Sequence, residues 1–436
     1  MQLILQGRCQ LTTAQIIILY TIHKLGYFVK SFFITGLWYI ATMRLLFIAD
    51  GRSPITLSWL NHWAGSSDQI HLISSYPCDP PPGLSSFHIL PLAFGGMAGR
   101  QGAGSRRKGL TASIRRRLRP LRYLLGPASL SAYQGRFRSL VTSIQPDLVH
   151  AMRIPFEGML AAATPDGVPL AVSIWGNDLT LHANSSVWMN NLTRRVLERA
   201  DGLLADTQRD IRLGLEWGFR TANPSLVVPG NGGVRSEIFY SIPTLFEKPI
   251  VFNPRGFRDY VRNDTFFQAI PLVLAKQPAV IFRCAAMAGQ PDALAWVNRL
   301  KITGSMELLE PCPHARMGEL FRGASVVVSP STHDGTPNTL LEAMACGCFP
   351  VVGDLESLRE WITPGENGLL IDPTDPRALA DAILSVLEKP VLREMAKHKN
   401  AQIIAARADY RACMAMVDAF YRKIAERSGK VPDKPG

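Results

Sequence analysis

Short apolar runs alternate with longer amphipathic segments from Met43 onward. A run that is apolar at every position is typical of a strand buried on both faces, as in a parallel sheet covered by helices. The segments between the runs have the spacing of helices, and in residues 376–390 Leu379, Ile383 and Val386 fall on one helical face. The pattern therefore predicts an α/β protein.

The predicted strands form two series, separated by the proline-containing stretch 239–249, which we interpret as a linker. Residues 43–238 would form one doubly wound domain and residues 250–404 a second, followed by an amphipathic helix at 405–428 that can pack back on the N-terminal domain. Two such domains in series leave a cleft, and open α/β sheets bind ligands at the carboxyl ends of their strands. The predicted strands are 44–49, 70–74, 147–151, 169–174, 202–206 and 225–229 in the first domain, and 250–254, 279–283, 325–329, 349–352 and 369–371 in the second.

The composition changes this picture only in part. With 436 residues, of which 47% are apolar, the chain is long enough for two hydrophobic cores. The formal charge of +12 predicts an anionic partner, which can be a phosphorylated substrate, a membrane surface or a nucleic acid. The seven cysteines lack the spacing of a disulfide framework or a zinc site, which indicates no structural metal and a cytoplasmic, reducing compartment.

Residues 1–42 are rich in apolar and aromatic side chains, but His23, Lys24 and Lys30 interrupt them. No uncharged span of about 20 residues emerges, as a membrane-crossing helix would need. The order of regions in a secretory signal is also missing. We interpret this segment as an extension outside the fold, and a membrane-associating extension is the alternative.

The stretch "THDGTPNTLLEAMACG" (332–347) changes abruptly from a polar loop to an apolar helix. Gly335 lets a ligand approach the main chain closely. Thr336 is a good N-cap and Pro337 suits the first helical position, so we expect the helix to begin there. Free N–H groups at a helix N-terminus attract anions and suit a diphosphate. Those expected to face the ligand belong to Asn338, Thr339 and Leu340.

Two acids flank this predicted anion site. Glu342 lies one turn into the helix, where it can accept hydrogen bonds from the vicinal hydroxyls of a ribose. Asp334 lies in the loop ahead of the helix, where it can meet the group that the diphosphate carries. A nucleotide at one end and a sugar at the other indicate a nucleotide-sugar. The plainer alternative is an ordinary helix cap followed by a solvated glutamate, but the small apolar "AMACG" that follows indicates close packing and favours a ligand site.

The stretch from His333 to Ile383 resembles the donor-binding half of family 4 glycosyltransferases, which have the GT-B fold of two Rossmann-like domains facing across a cleft. It carries two acids separated by seven residues, then "EAMACGCFPVV" and "NGLLIDPTDPRALADAI". The resemblance covers most of residues 43–425 and is specific in 325–390. It implies transfer of a hexosyl or related sugar from a nucleoside diphosphate sugar, with retention of configuration. It also implies no bound metal or cofactor, and a glycan or lipid-linked acceptor in polysaccharide or glycoconjugate synthesis.

The resemblance assigns roles to individual residues of the second domain. Glu342 would bind the ribose, Asp334 would contact the transferred sugar and Arg255 would bind the diphosphate. The first acid is normally a glutamate, so Asp334 is one methylene short. The lysine expected six residues after Arg255 is replaced by Val261. Two neighbouring arginines can supply the missing charge: Arg258 and Arg262.

In the first domain, "SIWGNDLTLH" (173–182) resembles the His-Gly-x-Asp stretch near the reacting sugar. Trp175 stands at the histidine position, while Gly176 remains and Asp178 becomes a catalytic candidate beside Asp334. The tryptophan can stack on a sugar or belong to the core, and both alternatives stay open. Three further positions are weaker candidates, Gly51 for sugar or acceptor contact or a simple turn, and two histidines as substitutes for the missing one: His150 and His182.

The basic stretch 104–123 places arginines around an apolar helical face, which is typical of an interfacial helix on anionic lipid. A solvated helix or a loop of the acceptor-side domain is the alternative. Because aromatic residues are absent before Tyr123, the stretch argues against nucleic-acid binding. A sugar-nucleotide epimerase or a non-catalytic nucleotide-sugar-binding protein remains the alternative function, since both would keep the 334–342 junction.

Overall fold

The computed structural model describes residues 42–93, 95, 123–124, 126–243, 248–258, 260–427 and 429. The interpretation of residues 1–42 and of the basic stretch therefore concerns residues that lie almost entirely outside the described ones. Within the described ranges, no helix combines the length and the apolar character that crossing a membrane requires.

The N-terminal domain is built on a seven-stranded sheet in the order β3-β2-β1-β4-β5-β6-β7. All of its strand pairs are parallel, and its central strands are buried on both faces, in keeping with their largely apolar sequences. The strands are β1 (Arg44–Ala49), β2 (Gln69–Ser74), β3 (Ser86–Ile89), β4 (Leu148–Ala151), β5 (Leu170–Ile174), β6 (Gly202–Ala205) and β7 (Ser225–Val227). The helices are α1 (Pro54–Leu60), α2 (Leu130–Ile144), α3 (Met159–Ala161), α4 (Val187–Arg199) and α5 (Gln208–Glu216).

The C-terminal domain has a six-stranded parallel sheet in the order β10-β9-β8-β11-β12-β13. Its strands are β8 (Ile250–Asn253), β9 (Ile281–Cys284), β10 (Met306–Leu308), β11 (Val326–Ser329), β12 (Phe349–Gly353) and β13 (Leu369–Ile371). Its helices are α6 (Asn263–Leu274), α7 (Pro291–Leu300), α8 (His314–Arg322), α9 (Asn338–Ala345), α10 (Glu356–Arg359), α11 (Pro376–Leu387) and α12 (Pro390–Arg407). The predicted architecture of two doubly wound α/β domains is confirmed.

Two strands are present that the apolar pattern does not predict. β3 and β10 each lie at the outer edge of a sheet, and every residue in them is only half-buried. His88 and Glu307 interrupt their apolar character. An edge strand with a solvated face needs no continuous apolar run, so the criterion that finds the central strands misses both.

The last helix, α13 (Tyr410–Arg427), packs against the N-terminal domain. Its Tyr421 hydroxyl lies 2.6 Å from His150 Nδ1 in the core of that domain. The chain turns at Ala408, so residues 405–407, which we grouped with the last helix, belong to α12. Val234 donates to Ala408 O at 2.6 Å and accepts from the Tyr410 N–H at 3.0 Å, so the two segments that connect the domains lie side by side.

Candidate functional site

The carboxyl ends of the two sheets meet through two loops. The β11–α9 loop (residues 330–337) follows strand β11, and the residues after β5 form the loop that contains Gly176. A methyl group placed on Gly176 would lie 1.9 Å from Gly335 N. Only glycine at this position lets the two backbones approach so closely. The site is therefore built where the main chains of both domains touch.

The start of α9 differs from the prediction. The helix begins at Asn338, and Pro337 is its N-cap with an extended backbone (ψ 122°), so the prediction of Thr336 as N-cap was wrong. The Thr336 hydroxyl instead donates to Asp206 O at 2.6 Å and accepts from Trp361 Nε1 at 2.8 Å. The side chain that would have capped the helix is engaged by the other domain.

The first turn of α9 offers two free N–H groups and not three. Leu340 donates to Pro337 O at 2.9 Å, so its N–H is not free as predicted. The N–H groups of Asn338 and Thr339 have no acceptor among the described residues. The helix dipole adds partial positive charge at the same place. Asn338 and Thr339 therefore retain the capacity to bind an anion.

Arg255 and Asp334 form an ion pair beside this helix start. Their Nη2 and Oδ2 atoms are 2.8 Å apart, and the two side chains are 8% and 12% exposed. Burial raises the pKa of Asp334, against the opposing charge of Arg255. The Arg255 Nε is buried and has no hydrogen-bond partner among the described residues. Thus the predicted diphosphate-binding arginine keeps an unused donor.

The two arginines that could replace the missing lysine have different surroundings. Val261, at the lysine position, is buried and forms a β-bridge with Ser331. Arg262 is held by Asp264, with Nε–Oδ1 and Nη2–Oδ2 distances of 2.8 and 2.6 Å. Arg258 is exposed, donates through Nε to Arg255 O at 3.3 Å, and its charge helps to lower the pKa of Asp334 against the effect of burial. Arg258 is therefore the better placed of the two.

Glu342 is buried in α9 and contacts a residue that the sequence did not indicate. His314 Nε2, at the start of α8, lies 2.7 Å from Glu342 Oε1. The His314 ring is half-exposed and packs edge-on against Phe239, with 4.8 Å between ring centroids. Because a carboxylate can only accept, Nε2 is the protonated nitrogen when Glu342 is ionised. No local pattern predicts a contact between residues 28 positions apart.

Asp178 lies at the start of a single wide helical turn (Asp178–His182) and is fully buried. Its Oδ1 accepts from Nε and Nη2 of Arg153 at 3.1 Å each, and its Oδ2 accepts from the N–H groups of Ile154 and Trp175 at 3.2 Å each. Burial raises the pKa of Asp178, and the charge of Arg153 opposes this. With no exposed surface, the carboxylate holds the backbone of the Trp175–Gly176 loop and has no face open to a substrate.

The weaker candidates of the N-terminal domain are engaged within it. Gly51 donates to Ser74 Oγ at 3.1 Å, and a methyl group there would lie 2.7 Å from Cys78 Sγ. His150 is buried between Ser173 and Tyr421, and burial lowers its pKa to about 3. His182 stacks on Tyr123 with 4.8 Å between ring centroids. Neither histidine takes the place of the missing one beside the cleft.

A polar segment that sequence reasoning missed completes the site. Residues 206–210 ("DTQRD") follow β6 and reach the β11–α9 loop. Asp206 Oδ2 accepts from the Thr336 N–H at 3.0 Å, and Arg209 Nη1 donates to Asp334 O at 2.9 Å. The available signal was a run of polar residues, three of them charged, at the carboxyl end of a buried strand, where ligand sites of such sheets form.

Unpaired polar atoms are concentrated here. Among the described residues, eight buried side-chain N or O atoms lack a hydrogen-bond partner. An unmade buried hydrogen bond costs about 1–3 kcal/mol, so a cluster of them suits a ligand that supplies the partners. Four of the eight surround the contact of the two loops: Asn177 Oδ1, Asp206 Oδ1, Arg255 Nε and Asn338 Oδ1. In the described part of the chain, no group of three or more His, Cys, Asp or Glu residues is arranged to hold a metal ion.

Comparison with known families agrees with this geometry. Residues 58–230 match the glycosyl transferase 4-like domain, and residues 250–389 match glycosyl transferases group 1. The chain belongs to the family 4 glycosyltransferases of GT-B fold, as the resemblance predicted.

Curated relatives carry one name repeatedly. The D-inositol 3-phosphate glycosyltransferase of Thermobispora bispora is 27% identical over 252 residues, which cover 53% of this chain and 58% of that protein. The protein of the same name from Kribbella flavida is 29% identical over 220 residues, covering 46% and 51%. The chain thus spans between half and three-fifths of the length of these two relatives.

Solved structures show the same fold at low identity. The sucrose-phosphate synthase of Thermosynechococcus elongatus superimposes with a TM-score of 0.67 at 16% identity, covering 88% of this chain and all of that one. Anabaena HepE in complex with UDP-glucose gives a TM-score of 0.63 at 15% identity, covering 89% and 100%. These similarities establish the two-domain fold.

Proposed function

We propose that the protein is a retaining glycosyltransferase that moves a hexosyl or related sugar from a nucleoside diphosphate sugar to an acceptor. One observation carries the proposal: the buried, unpaired Nε of Arg255 lies in the same site as the two free N–H groups of α9. A buried donor without an acceptor, beside free N–H groups at a helix N-terminus, suits a dianionic diphosphate.

In this proposal the diphosphate takes over part of the hydrogen bonding that Asp334 now supplies to Arg255. Charge develops on the diphosphate as the bond between the anomeric carbon and its oxygen breaks, and the electron pair leaves with the phosphate. Fixed donors stabilise that charge without reorganising, which is the source of the rate enhancement. The acceptor oxygen bonds to the anomeric carbon on the face from which the phosphate departs, and its proton passes to the leaving phosphate. This route needs no histidine at the position that Trp175 occupies.

Glu342 and Asp334 contact different parts of the donor in this proposal. Glu342 is one turn along α9 from Asn338, where its carboxylate can accept from the ribose hydroxyls while His314 orients it. Asp334 lies in the β11–α9 loop and contacts hydroxyls of the transferred sugar. Asp178 acts through the loop it holds, so we revise its expected catalytic role to positioning of Trp175 and Gly176.

For the acceptor we propose a glycan or lipid-linked molecule in polysaccharide or glycoconjugate synthesis, handled in the cytoplasm at an anionic membrane surface. The basic stretch 104–123 supports the membrane contact through its charge alone. The names of the curated relatives add a phosphorylated cyclitol as a second acceptor class to test. Salt-sensitive sedimentation with anionic vesicles would test the membrane contact, and its absence would remove that part of the proposal.

Nucleotide binding tests the donor assignment directly. Isothermal titration with UDP-, GDP- and ADP-glucose would use the wild type, Glu342→Ala and the exposed control Glu388→Ala. Loss of hydrogen bonds to a charged group predicts about 10-fold or greater weakening in Glu342→Ala and no change in the control. If no nucleotide binds, or if both variants bind like the wild type, the ribose assignment fails.

An epimerase of the same fold is the alternative function. It would convert the donor into its epimer with no acceptor present, whereas a transferase would only hydrolyse it slowly. Chromatography of each donor after incubation with the protein alone distinguishes the two.

A further inference from the structure

Residues 206–210 of the N-terminal domain, which we call the clasp segment, make direct polar contacts with the β11–α9 loop of the C-terminal domain. We infer that Asp206 and Arg209 are positioning residues, which hold this loop in the geometry required for sugar transfer. The inference rests on the proposed function and adds to it a set of residues outside the donor-binding domain.

Arg209 ties the two loops of the site to one another. Its guanidinium is 8% exposed and donates through Nη1 to Asp334 O at 2.9 Å and through Nη2 to Gly176 O at 3.2 Å. Asp210 Oδ1 accepts from Nε at 3.0 Å and from Nη2 at 2.8 Å, and thereby fixes the orientation of the planar group. One buried arginine therefore sets the distance between Gly176 and the backbone of the proposed sugar-contacting acid.

Asp206 holds the next residues of the same loop. Its Oδ2 accepts from the Thr336 N–H at 3.0 Å, while its own carbonyl accepts from the Thr336 hydroxyl at 2.6 Å. A methyl group on Gly335 would lie 2.4 Å from Asp206 Oδ1, so the carboxylate packs directly on the loop. Asp206 therefore fixes the main chain immediately after Asp334.

The C-terminal domain also contributes a carboxylate to this contact, that of Glu360. Glu360 Oε2 accepts from the Gln208 N–H and its Oε1 from the Arg209 N–H, each at 2.9 Å. These are the first two residues of α5, whose N–H groups have no partner within the helix, and a negative charge there is favoured by the helix dipole. Each domain thus satisfies backbone N–H groups of the other.

The described hydrogen bonds of the clasp segment reach the β11–α9 loop but not the residues that we assign to nucleotide binding. Arg255 and Glu342, which we assign to the diphosphate and ribose, belong to the C-terminal domain and make no hydrogen bond with the clasp segment among the described residues. Loss of Arg209 should therefore loosen the loop and slow transfer, while the affinity for a nucleoside diphosphate stays nearly unchanged.

The test compares Arg209→Met with Arg212→Met. Arg212 lies on the same helix and also contacts the other domain, but it is 51% exposed and, among the residues that the structure describes, bonds only Glu216 and Glu356. Hydrogen exchange of residues 330–337 is measured by mass spectrometry, because loosened segments exchange faster. We expect exchange about 10-fold faster than in the wild type in Arg209→Met and a wild-type rate in Arg212→Met. The exchange of β11 should be unchanged in both variants.

Binding and turnover supply the second readout. Titration with UDP, GDP and ADP should give affinities within about 3-fold of the wild type for Arg209→Met, whereas release of nucleoside diphosphate from the matching sugar conjugate should slow about 10-fold or more. Equal losses of affinity and turnover would indicate general damage to the site and would overturn the inference, as would exchange identical to that of Arg212→Met.

A second variant covers the case in which Arg209→Met does not fold. Glu360→Ala removes the acceptor of two N–H groups from the opposite side of the contact and should raise exchange in 330–337 in the same direction by a smaller factor. Unchanged exchange in that variant would also contradict the inference. If none of the three nucleotides binds to the wild type, the proposed function fails; if they bind and Arg209→Met behaves like Arg212→Met, only the positioning role fails.

Discussion

Each domain carries an arginine–aspartate pair with a buried aspartate at the carboxyl end of its sheet, and the hydrogen-bonding capacity of the two pairs is used to different degrees. Asp178 accepts four hydrogen bonds, two of them from Arg153 and two from backbone N–H groups. Asp334 Oδ2 accepts from Arg255 Nη2 at 2.8 Å, but the Nε of this arginine remains unpaired among the described residues, whereas the Nε of Arg153 is used. In both pairs burial raises the pKa of the aspartate and the arginine opposes that rise.

The difference shows how the same pair of residues can serve two purposes. A buried carboxylate with all of its acceptor capacity used fixes the surrounding backbone and has nothing left for a ligand. A pair with an unused buried donor carries a free-energy cost that a bound anion can remove. The first pair therefore stabilises a loop, and the second is prepared to exchange partners.

The largest effect is expected from Arg153→Met. It leaves the fully buried Asp178 without its charged partner, which should lower the free energy of unfolding by about 3–5 kcal/mol. Nucleotide affinity per folded molecule should remain that of the wild type. Urea denaturation and titration would measure the two quantities, and a stable variant with weakened nucleotide binding would reverse the roles of the pairs.

Arg255→Met should show the opposite profile. Loss of a charge-assisted contact to the diphosphate should weaken nucleoside diphosphate binding by about 10- to 100-fold, with a smaller loss of stability than in Arg153→Met. Arg255→Lys keeps the charge but not the forked geometry, so intermediate affinity is expected. Wild-type affinity in Arg255→Met would remove this arginine from the donor site.

The buried His150 of the N-terminal domain should make the stability of the protein depend on pH. Its pKa in the folded protein is about 3 because of burial, below the value of an exposed histidine, so its contribution to stability is present above about pH 6.5 and is lost progressively as the pH falls towards 3. Between pH 7.5 and 5 this amounts to about 2 kcal/mol, which His150→Asn should not show. Denaturation at the two pH values measures it, and an equal loss in the variant would assign the effect to other groups.

The smallest effect is expected from the two arginines considered as replacements for the missing lysine, Arg258 and Arg262. Arg258 influences Asp334 electrostatically, so Arg258→Met should weaken nucleotide binding about 2- to 3-fold at low salt and less at high salt. Arg262 is occupied by Asp264, and Arg262→Met should leave affinity unchanged. The reverse order in titrations would place Arg262 beside the diphosphate.

The central strands and the fold could be predicted because continuous apolar runs report burial on both faces. The edge strands β3 and β10 could not, because their residues are only partly buried and the strands lack a continuous apolar run. The first residue of α9 was predicted wrongly for another reason. The Thr336 hydroxyl has a partner 130 positions away in the sequence, and local capping preferences contain no information about it.

In the site, too, local features could be predicted from the sequence and contacts between distant segments could not. The acids Asp334 and Glu342 and the presence of a helix start between them are local features, so the sequence indicated them, with the helix start displaced by one residue; their roles stay predictions. The contacts of Glu342 with His314 and of Arg209 with the β11–α9 loop join distant segments, and no local spacing indicates them. Asp178 was recognisable by its neighbours, but only its four hydrogen bonds show that it faces inward.

The two segments that connect the domains lie side by side at Val234 and Ala408, which determines how the N-terminal domain could be produced alone. The N-terminal domain is discontinuous in sequence, since α13 supplies part of its core and reaches it only after the chain has completed the other domain. A fragment that stops at the linker would expose the surface that α13 covers. Because Val234 lies beside Tyr410, a short artificial loop between them would join residues 43–234 to 410–427 into one continuous gene product with a complete core.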